Sequence, residues 1–415
     1  MRKPAFVMFG IGGVYNYGCE AIVRGTVEIL RQVSPDSHVR YLSQRPTEDA
    51  AALSDCAVQV VGWQQRARWH PLHICRGTLR RIGAPYRWIP PARLSCFHKD
   101  DCALWIGGDT PDIGLGPFRS DQTVAHFDLP RAIARRSAGL VIWATSVTPC
   151  PGAAEAYRSL LKRATLVTAR EPLTHRYLSD LAGHDKVKSV ADPAFLMPAA
   201  SVNGDFPWTD HAKPTLAVNL SPLSVRTAYG PNGMAGALQE QTDFVATMMR
   251  KLDVRVVLVP HVVAPHTEGD DDCRYLARMH ERLRAACPEP DAVTVLPGGL
   301  GARRTKGVIG QCDALVAARM HCAIAGVSSG VPTLFVSYSS KAKGMAQYVY
   351  GDLQWHIGLT ELPAASTIEK IALLLERRSA VREYLRDSAN QFHEDAFRGG
   401  AFLAECLQGQ DVCGK

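Results

Sequence analysis

The chain has 415 residues, of which 46% are hydrophobic and 21% are charged, and it contains 34 glycines, 26 prolines and 12 cysteines. This composition excludes a disordered chain, and the length exceeds the roughly 100–200 residues of one typical domain, so two domains are predicted. No stretch approaches the about 18 consecutive apolar residues of a membrane span, and the run Ala5–Phe9 is shorter than the roughly 7–15 residues of a signal-peptide core. A cytoplasmic location is therefore expected. No Cys-x-x-Cys pair occurs, which predicts reduced thiols rather than a zinc or redox site.

The charge is distributed unevenly along the chain. Lysine and arginine number 47 against 40 acidic residues, for a net charge of +7, yet eight basic and no acidic residues lie between Arg66 and Lys99. Outside residues 62–100, which we call the basic insert, the chain is close to neutral, and nucleic-acid-binding domains do not usually distribute charge in this way. Aromatic and apolar residues are interleaved with the basic ones, so residues 66–99 predict a peripheral contact with an anionic membrane surface. A plain structural loop is the alternative for this segment.

Short apolar runs alternate with helical stretches from end to end, which is typical of parallel sheets with helices on both faces. In the first half a helix is predicted over Glu20–Gln32, and the predicted strands are Pro4–Phe9, Val39–Leu42, Val58–Val61, Ala103–Ile106, Gly139–Trp143 and Leu166–Thr168. A polar, proline-rich stretch at Pro198–Pro214 then interrupts the pattern. In the second half helices are predicted near Thr367–Glu376 and Ala380–Gln391, and the predicted strands are Thr215–Leu220, Val254–Val259, Val293–Leu296, Ala314–Ala317 and Thr333–Ser337.

This pattern predicts an α/β fold of two Rossmann-like, doubly wound lobes that face a cleft, as in GT-B glycosyltransferases. The N-terminal lobe is predicted to span residues 1–200 and the C-terminal lobe residues 214–360. Residues 361–415 are predicted to form C-terminal helices.

The first strand leads into a glycine-rich turn, Gly10–Glu20, of the kind that brings backbone N–H groups close to an anion. The dinucleotide fingerprint fails here, because Tyr15 stands where the third glycine belongs and the second strand ends without the ribose-binding acid. Asn16 and Glu20 are placed where they could bind sugar hydroxyls, so we predict an acceptor site. A tight turn that binds no ligand is the alternative.

Two further motifs follow strands of the N-terminal half. The loop Gly107–Asp112 carries Asp109, which we predict to accept a hydrogen bond from a hydroxyl of the acceptor, with helix capping as the alternative. Two aspartates without an evident third ligand do not predict a metal site. Arg170 follows a strand end, so its guanidinium is predicted to point into the cleft and bind phosphate or carboxylate. A solvated or glutamate-paired arginine is equally compatible with this motif.

In the C-terminal half, Asn219, Ser221 and His261 follow the first two strands, on the edge of a parallel sheet where ligands bind. A later strand runs directly into a helix of small residues whose first turn carries Arg319–His321. The guanidinium, the imidazole and the free N–H groups of the helix converge there, which predicts an anion site.

The stretch Ser339–Gly344 follows the next strand and places further cations near the same edge. We include Lys343 and Gly344 in the predicted donor site, together with Met320 of the small-residue helix. For Lys341 a solvated position is the alternative.

Taken together, these motifs resemble those of the polysaccharide pyruvyl transferase family, from residue 10 to about 350. The matching motifs are Asn-Tyr-Gly-Cys-Glu-Ala (16–21), Gly-Gly-Asp (107–109), Ala-Arg-Glu (169–171), Asp-Pro (192–193), Arg-Met-His (319–321), Gly-Val-Pro (330–332) and Lys-x-x-Gly (341–344). The sequence departs from the family at Asp109, where a third glycine is common, and the basic insert has no counterpart.

The resemblance implies a GT-B-like fold without a nucleotide-sugar donor. It also implies transfer of the pyruvyl carbons of phosphoenolpyruvate to a sugar, usually as a ketal bridging two hydroxyls, with release of phosphate. The arginines and the histidine of the family's donor site correspond to Arg170, Arg319 and His321.

The chemistry of the residues agrees with such a donor, since phosphoenolpyruvate carries a phosphate and a carboxylate and needs several cations. We predict His321 as the general acid that protonates the methylene carbon, because imidazole titrates near neutral pH. Arg170 and Arg319 are predicted to stabilise the leaving phosphate. His261 is a lesser candidate for deprotonating the acceptor.

The N-terminal lobe is therefore predicted to bind the acceptor and the C-terminal lobe the donor. Neither a cofactor nor a metal is predicted beyond the co-substrate phosphoenolpyruvate, and no nucleic-acid partner. A polyprenyl-diphosphate-linked glycan is one expected acceptor, presented at the inner face of the cytoplasmic membrane. Two alternatives remain at this point: a nucleotide-sugar-dependent GT-B glycosyltransferase, and a non-catalytic glycan-binding member of a polysaccharide assembly complex.

Overall fold

The computed structural model describes residues 5–63, 91–108 and 120–413, apart from positions 203, 205, 209 and 211. Within this part of the chain the strands form two separate sheets, one of seven strands and one of six. Every pairing between neighbouring strands in both sheets is parallel. The two doubly wound lobes predicted from the sequence are therefore confirmed.

The N-terminal lobe is built on the seven-stranded sheet, in the order β3-β2-β1-β4-β5-β6-β7. Its strands are β1 (Ala5–Phe9), β2 (His38–Ser43), β3 (Gln59–Gly62), β4 (Cys102–Trp105), β5 (Gly139–Thr145), β6 (Leu166–Ala169) and β7 (Val187–Ser189). Its helices are α1 (Tyr17–Val33), α2 (Pro46–Ala52), α3 (Pro91–Leu94), α4 (Ser120–Ala134), α5 (Ala154–Leu161) and α6 (Pro172–Ala182).

The C-terminal lobe is built on the six-stranded sheet, in the order β10-β9-β8-β11-β12-β13. Its strands are β8 (Thr215–Asn219), β9 (Arg255–Leu258), β10 (Val293–Val295), β11 (Ala314–Ala317), β12 (Thr333–Ser337) and β13 (His356–Gly358). The remaining helices are α7 (Pro222–Tyr229), α8 (Met234–Leu252), α9 (Asp272–Ala286), α10 (Gly301–Gly310), α11 (Met320–Val327), α12 (Ser340–Tyr350), α13 (Ala365–Glu376) and α14 (Arg378–Cys413).

Burial of the central strands on both faces explains why they appear as continuous apolar runs in the sequence. All residues of β1, β4, β5, β8 and β11 are buried, as expected for parallel strands covered by helices on both sides. The predicted strands are all present. Two additional strands, β7 and β13, have only three residues each, lie at sheet edges and are only partly buried, so they lack an apolar run that the sequence could reveal.

The last helix is much longer than its predicted span and returns to the N-terminal lobe. α14 runs to Cys413, and its Gly399 and Gly400 allow close packing against Trp143 of β5 and Ile29 of α1. The C-terminal helices thus connect both lobes rather than covering one of them.

In the part of the chain that the structure describes, no helix is both long and apolar enough to cross a bilayer. The cysteines of the same residues form no disulfide bond. Residues 64–90, which make up most of the basic insert, lie outside the described residues.

Candidate active site

Arg170 is fixed at the carboxyl end of the N-terminal sheet. It follows β6 directly, and its side chain is only 1% exposed. Its Nε donates to Ser146 Oγ at 2.8 Å and its Nη1 donates to Asp192 Oδ2 at 2.6 Å. Gly108 packs against the guanidinium with a φ of 62°, and a Cβ at that position would collide with it. The guanidinium is therefore buried and paired.

A bulge in β5 precedes the residue that binds this guanidinium. The register between β5 and β6 shifts between Ile142 and Thr145, and the buried Ala144 has a φ of 45°. Bulges redirect the chain next to functional sites, and a non-glycine residue in this conformation costs on the order of 1–3 kcal/mol. The strained backbone thus lies two residues before Ser146.

His321 approaches the same point from the C-terminal lobe. It is the second residue of α11, and its Nε2 lies 3.2 Å from Arg170 Nη1 and 3.3 Å from Asp192 Oδ2. Burial alone would raise the pKa of the Asp192 carboxyl, but the charges of Arg170 and His321 hold that pKa well below its usual range. We call Arg170, Asp192 and His321 the interlobe cluster.

Arg319 lies between β11 and α11 and is anchored to the C-terminal lobe by two carboxylates. Its backbone N–H donates to Asn219 Oδ1 at 2.9 Å, and its Nη2 lies 2.8 Å from Asp272 Oδ1 and 2.6 Å from Asp270 Oδ1. Burial would lower the pKa of the Arg319 guanidinium, but the two carboxylates raise it above its usual value. In this structure, therefore, the guanidinium is bonded to two acidic side chains of the protein itself.

Asp272 also orders the loop that carries His261. Its Oδ2 accepts the backbone N–H groups of His261 and Val262, both at 3.0 Å. Burial, followed by the charges of His321 and Arg319, lowers the pKa of His261 to about 3. His261 is therefore a neutral imidazole near pH 7, with one ring nitrogen protonated and the other free of a proton.

Three other predicted donor residues lie near the start of α7 and α11. Asn219 is fully buried, and its amide nitrogen donates to the backbone carbonyl of Val259, directly after β9, at 2.8 Å. Ser221 precedes α7, and its buried hydroxyl makes no hydrogen bond to the described part of the chain. Met320 is the half-buried first residue of α11. Asn219 thus has a hydrogen-bond partner within the protein, whereas the Ser221 hydroxyl has none among the described residues.

The two lysines at the start of α12 have opposite environments. Lys343, which the sequence analysis places in the donor site, is exposed, whereas Lys341 is buried, with 6% of its surface accessible. The solvated position considered for Lys341 is therefore wrong. Gly344 faces the N-terminal lobe, where a Cβ would collide with the carboxylate of Glu171.

The predicted acceptor residues of α1 are engaged in contacts within the protein. Asn16 caps the helix, and its Oδ1 accepts the N–H of Gly18 at 2.9 Å. Glu20 is buried, and its two oxygens accept from Arg24 Nε at 2.8 Å and from the Ala302 N–H of α10 at 3.2 Å. The Glu20 side chain therefore helps to join the lobes, whereas the Asn16 side chain caps its own helix. The contact of both residues with a sugar stays a prediction.

Among the residues that the structure describes, no group of three His, Cys, Asp or Glu side chains could hold a metal ion. Asp109, the predicted hydrogen-bond acceptor, lies outside the described residues.

The acidic partners of the two arginines were missed by the sequence analysis. Asp192, Asp270 and Asp272 are separated from Arg170 and Arg319 by between 22 and 49 positions. The only signals were an Asp-Pro pair after an edge strand and the acidic run before α9.

A cavity of about 1110 Å³ lies away from the interlobe cluster, beside the segment that joins the lobes. Met197, Trp208, Lys306 and Ser329 are among its lining residues, and none of the predicted site residues is. Lys306 donates to the carbonyl of Met197 at 2.6 Å, and burial lowers its pKa to about 8. We assign this cavity no part in the chemistry.

The fold and the position of the site define the class of protein. Two parallel α/β lobes that meet at the carboxyl ends of their strands form the GT-B architecture, and solved structures agree. HepE of Anabaena, solved with UDP and glucose, is 13% identical, with 98% of this chain and 100% of that chain covered and a TM-score of 0.56. An α,α-trehalose-phosphate synthase from Burkholderia vietnamiensis is 11% identical, with coverages of 98% and 99% and a TM-score of 0.55. Such low identities establish the fold alone.

The sequence identifies the family within that class. The family model described as polysaccharide pyruvyl transferase matches residues 16–340, and the chain belongs to that family. No curated protein matches the chain at a significant level. The matched range contains all three residues of the interlobe cluster.

Proposed function

We propose that the protein transfers the pyruvyl group of phosphoenolpyruvate to two hydroxyls of a glycan, forming a ketal and releasing phosphate. The observation that carries the proposal is the interlobe cluster. A guanidinium of one lobe and an imidazole of the other meet at 3.2 Å, where the carboxyl ends of both sheets converge. Membership of the polysaccharide pyruvyl transferase family supports the same reaction.

The proposed reaction balances without a redox partner. Protonation of the methylene carbon makes C2 of the donor electrophilic, and a sugar hydroxyl adds to C2 and loses its proton. The C2–O bond to phosphate breaks, and a second hydroxyl closes the ketal and loses its proton. The products are one pyruvate ketal and inorganic phosphate.

In this mechanism His321 supplies the proton to the methylene carbon. Arg170 orients the anionic donor, and the N–H groups at the start of α11 favour the negative charge of the leaving phosphate. Arg319 is already bonded to Asp270 and Asp272, so we propose that it acts chiefly by fixing the turn that presents His321. Direct contacts of Arg319, Ser221 and Lys343 with the donor stay predictions.

We further propose that the acceptor is a glycan linked to a polyprenyl diphosphate, used in the cytoplasm, with the basic insert contacting an anionic membrane. This rests on the charge of residues 66–99 in the sequence. Sedimentation with liposomes that depends on anionic lipid and decreases with salt would support the membrane contact. Equal sedimentation with neutral vesicles would contradict it.

The experiment that tests the function measures phosphate release from phosphoenolpyruvate with and without a glycan acceptor. We expect release only with an acceptor. His321→Gln should lower turnover by about 10²–10⁴-fold, because general acid catalysis contributes that range, while calorimetric binding of phosphoenolpyruvate should persist. His280→Gln is the matched control, because His280 lies on α9, outside the interlobe cluster, and its Nε2 contacts the backbone carbonyl of Val293 at 3.2 Å.

Two results would contradict the proposal. Turnover of a nucleotide sugar without phosphoenolpyruvate would favour the glycosyltransferase alternative. Glycan binding with no turnover of either donor would favour the non-catalytic alternative.

A further inference from the structure

We propose that Asp192 is a positioning residue that holds His321 in the tautomer with its proton on Nε2. Only the expected effect on catalysis rests on the proposed function, whereas the geometry and the spectroscopic test are independent of it. Asp192 and Pro193 form one of the motifs that match the polysaccharide pyruvyl transferase family. The mechanism proposed above assigns Asp192 no role.

The position of Asp192 is the first support. It is fully buried between the lobes, after β7, and one oxygen serves two partners from different lobes. Oδ2 lies 2.6 Å from Arg170 Nη1 and 3.3 Å from His321 Nε2, while Oδ1 accepts the N–H of Ala194 at 2.8 Å. The carboxylate therefore has a fixed orientation and cannot rotate away from the imidazole without losing these bonds.

The charge state of Asp192 is the second support. Its pKa is held well below the usual range, so it is ionised and acts only as an acceptor. Nε2 of His321 faces this acceptor and the Arg170 guanidinium, which can only donate. These two neighbours favour opposite tautomers of a neutral imidazole: a proton on Nε2 satisfies Asp192, whereas a bare Nε2 satisfies Arg170.

Of these two neighbours, Asp192 determines the tautomer of His321. Arg170 Nη1 is already bonded to the carboxylate at the shorter distance of 2.6 Å, so it does not need Nε2 as an acceptor. Asp192 thereby holds the His321 ring in a fixed orientation and tautomer, as a positioned general acid requires.

The first test is the tautomer of His321 in the full-length wild-type protein. In ¹⁵N-histidine-labelled protein at a pH where His321 is neutral, protonated and bare ring nitrogens are resolved, and His321→Gln identifies the signal. We expect the proton on Nε2. A proton on Nδ1 would overturn the inference.

The second test removes the carboxylate. Asp192→Ser keeps a side-chain oxygen that can accept the N–H of Ala194, but it removes the carboxylate that accepts from Nε2 of His321. Arg170 is then the only neighbour of Nε2 within the cluster. We therefore expect the proton of the neutral imidazole to move to Nδ1. Retention of the proton on Nε2 in this variant would contradict the inference. Asp101→Asn is the matched control, because Asp101 is a buried aspartate that pairs with Arg40 in the N-terminal lobe.

The isosteric variant Asp192→Asn tests the catalytic consequence and guards against loss of folding in the serine variant. We expect kcat to fall by about 10²-fold, within the range of general acid catalysis, with little change in phosphoenolpyruvate binding. An unchanged kcat would overturn the positioning role. If the wild-type protein did not turn over phosphoenolpyruvate, the proposed function would fail, and the tautomer would still decide whether Asp192 holds His321.

Discussion

The buried arginines of this site are each compensated by acidic side chains. Arg170 pairs with Asp192, and Arg319 pairs with Asp270 and Asp272. A buried charge without a partner is strongly destabilising, by several kcal/mol, so the protein neutralises its own cations before a ligand arrives. The site consequently carries less positive charge than its arginines suggest. Protonation of His321 is the step that makes the interlobe cluster net positive.

Gly18 of α1 packs directly against the imidazole ring of His321. A Cβ on Gly18 would lie 2.6 Å from the imidazole ring, so Gly18→Ala should push His321 away from Asp192 and Arg170. Displacements of about 1 Å can cost on the order of 10² in rate, and we expect a loss of that size in kcat for phosphate release. Gly236→Ala on α8, where a Cβ meets nothing within 4 Å, is the control. Wild-type turnover in Gly18→Ala would show that the ring needs no fixed position.

At the scale of elements, α10 contacts both the N-terminal lobe and the connecting segment. The Ala302 N–H in its first turn donates to Glu20 of α1, and Lys306 in the middle donates to the carbonyl of Met197. Gly307 packs so closely that a Cβ would overlap the carbonyl of Ala200. α10 therefore fixes the relation between the lobes at the point where the chain crosses from one to the other.

Replacement of Lys306 by Met should stabilise the protein at neutral pH. Burial lowers the Lys306 pKa from 10.5 to about 8, which corresponds to a penalty of about 3 kcal/mol for folding with the charged side chain. Loss of the bond to Met197 costs about 1 kcal/mol, so Lys306→Met should gain about 2 kcal/mol at pH 7 in urea unfolding.

The sign of this effect depends on pH. The folded state binds fewer protons than the unfolded state between about pH 8 and pH 10.5, so the wild-type protein becomes more stable as the pH rises through that window. The penalty is present in full below about pH 8. The advantage of Lys306→Met should therefore disappear by about pH 10, and a constant advantage across this range would contradict the assignment.

At the scale of the whole molecule, the site exists only where the two lobes meet. Two backbone hydrogen bonds join the start of α1 to the loop after β9: Tyr17 N–H donates to His261 and Val263 N–H donates to Tyr15, at 3.0 and 2.9 Å. α14 adds a second connection, since it starts beside the C-terminal lobe and packs against α1. The contacts that join the lobes thus also bring His321 of one lobe to Arg170 and Asp192 of the other.

We predict that turnover does not require a divalent metal. In this mechanism Arg170 and the N-terminus of α11 stabilise the leaving phosphate, and the described residues offer no set of metal ligands. Phosphate release should therefore be the same with and without a chelator. Loss of turnover in the chelator, followed by recovery with Mg²⁺ or Mn²⁺, would contradict this prediction.

The sequence by itself determined the architecture of the fold and the cationic residues of the site. Continuous apolar runs such as Ala314–Ala317 revealed the buried parallel strands, because a strand covered on both faces needs apolar residues at every position. Since ligands bind at the carboxyl ends of such strands, the residues after them, Arg170 and Arg319–His321, were recognisable. The family resemblance was confirmed.

Only the tertiary structure decided how these groups are paired. Asp192, Asp270 and Asp272 reach their arginines across turns and sheet edges, and a pairing between distant positions leaves no periodic signal in a single sequence. The choice between Lys341 and Lys343 depended on which side of α12 faces the other lobe, where Gly344 contacts Glu171. The return of α14 to the N-terminal lobe likewise depended on surfaces that exist only after both lobes have folded. Burial and partners are properties of the assembled molecule, because they depend on what the remaining chain places around each side chain.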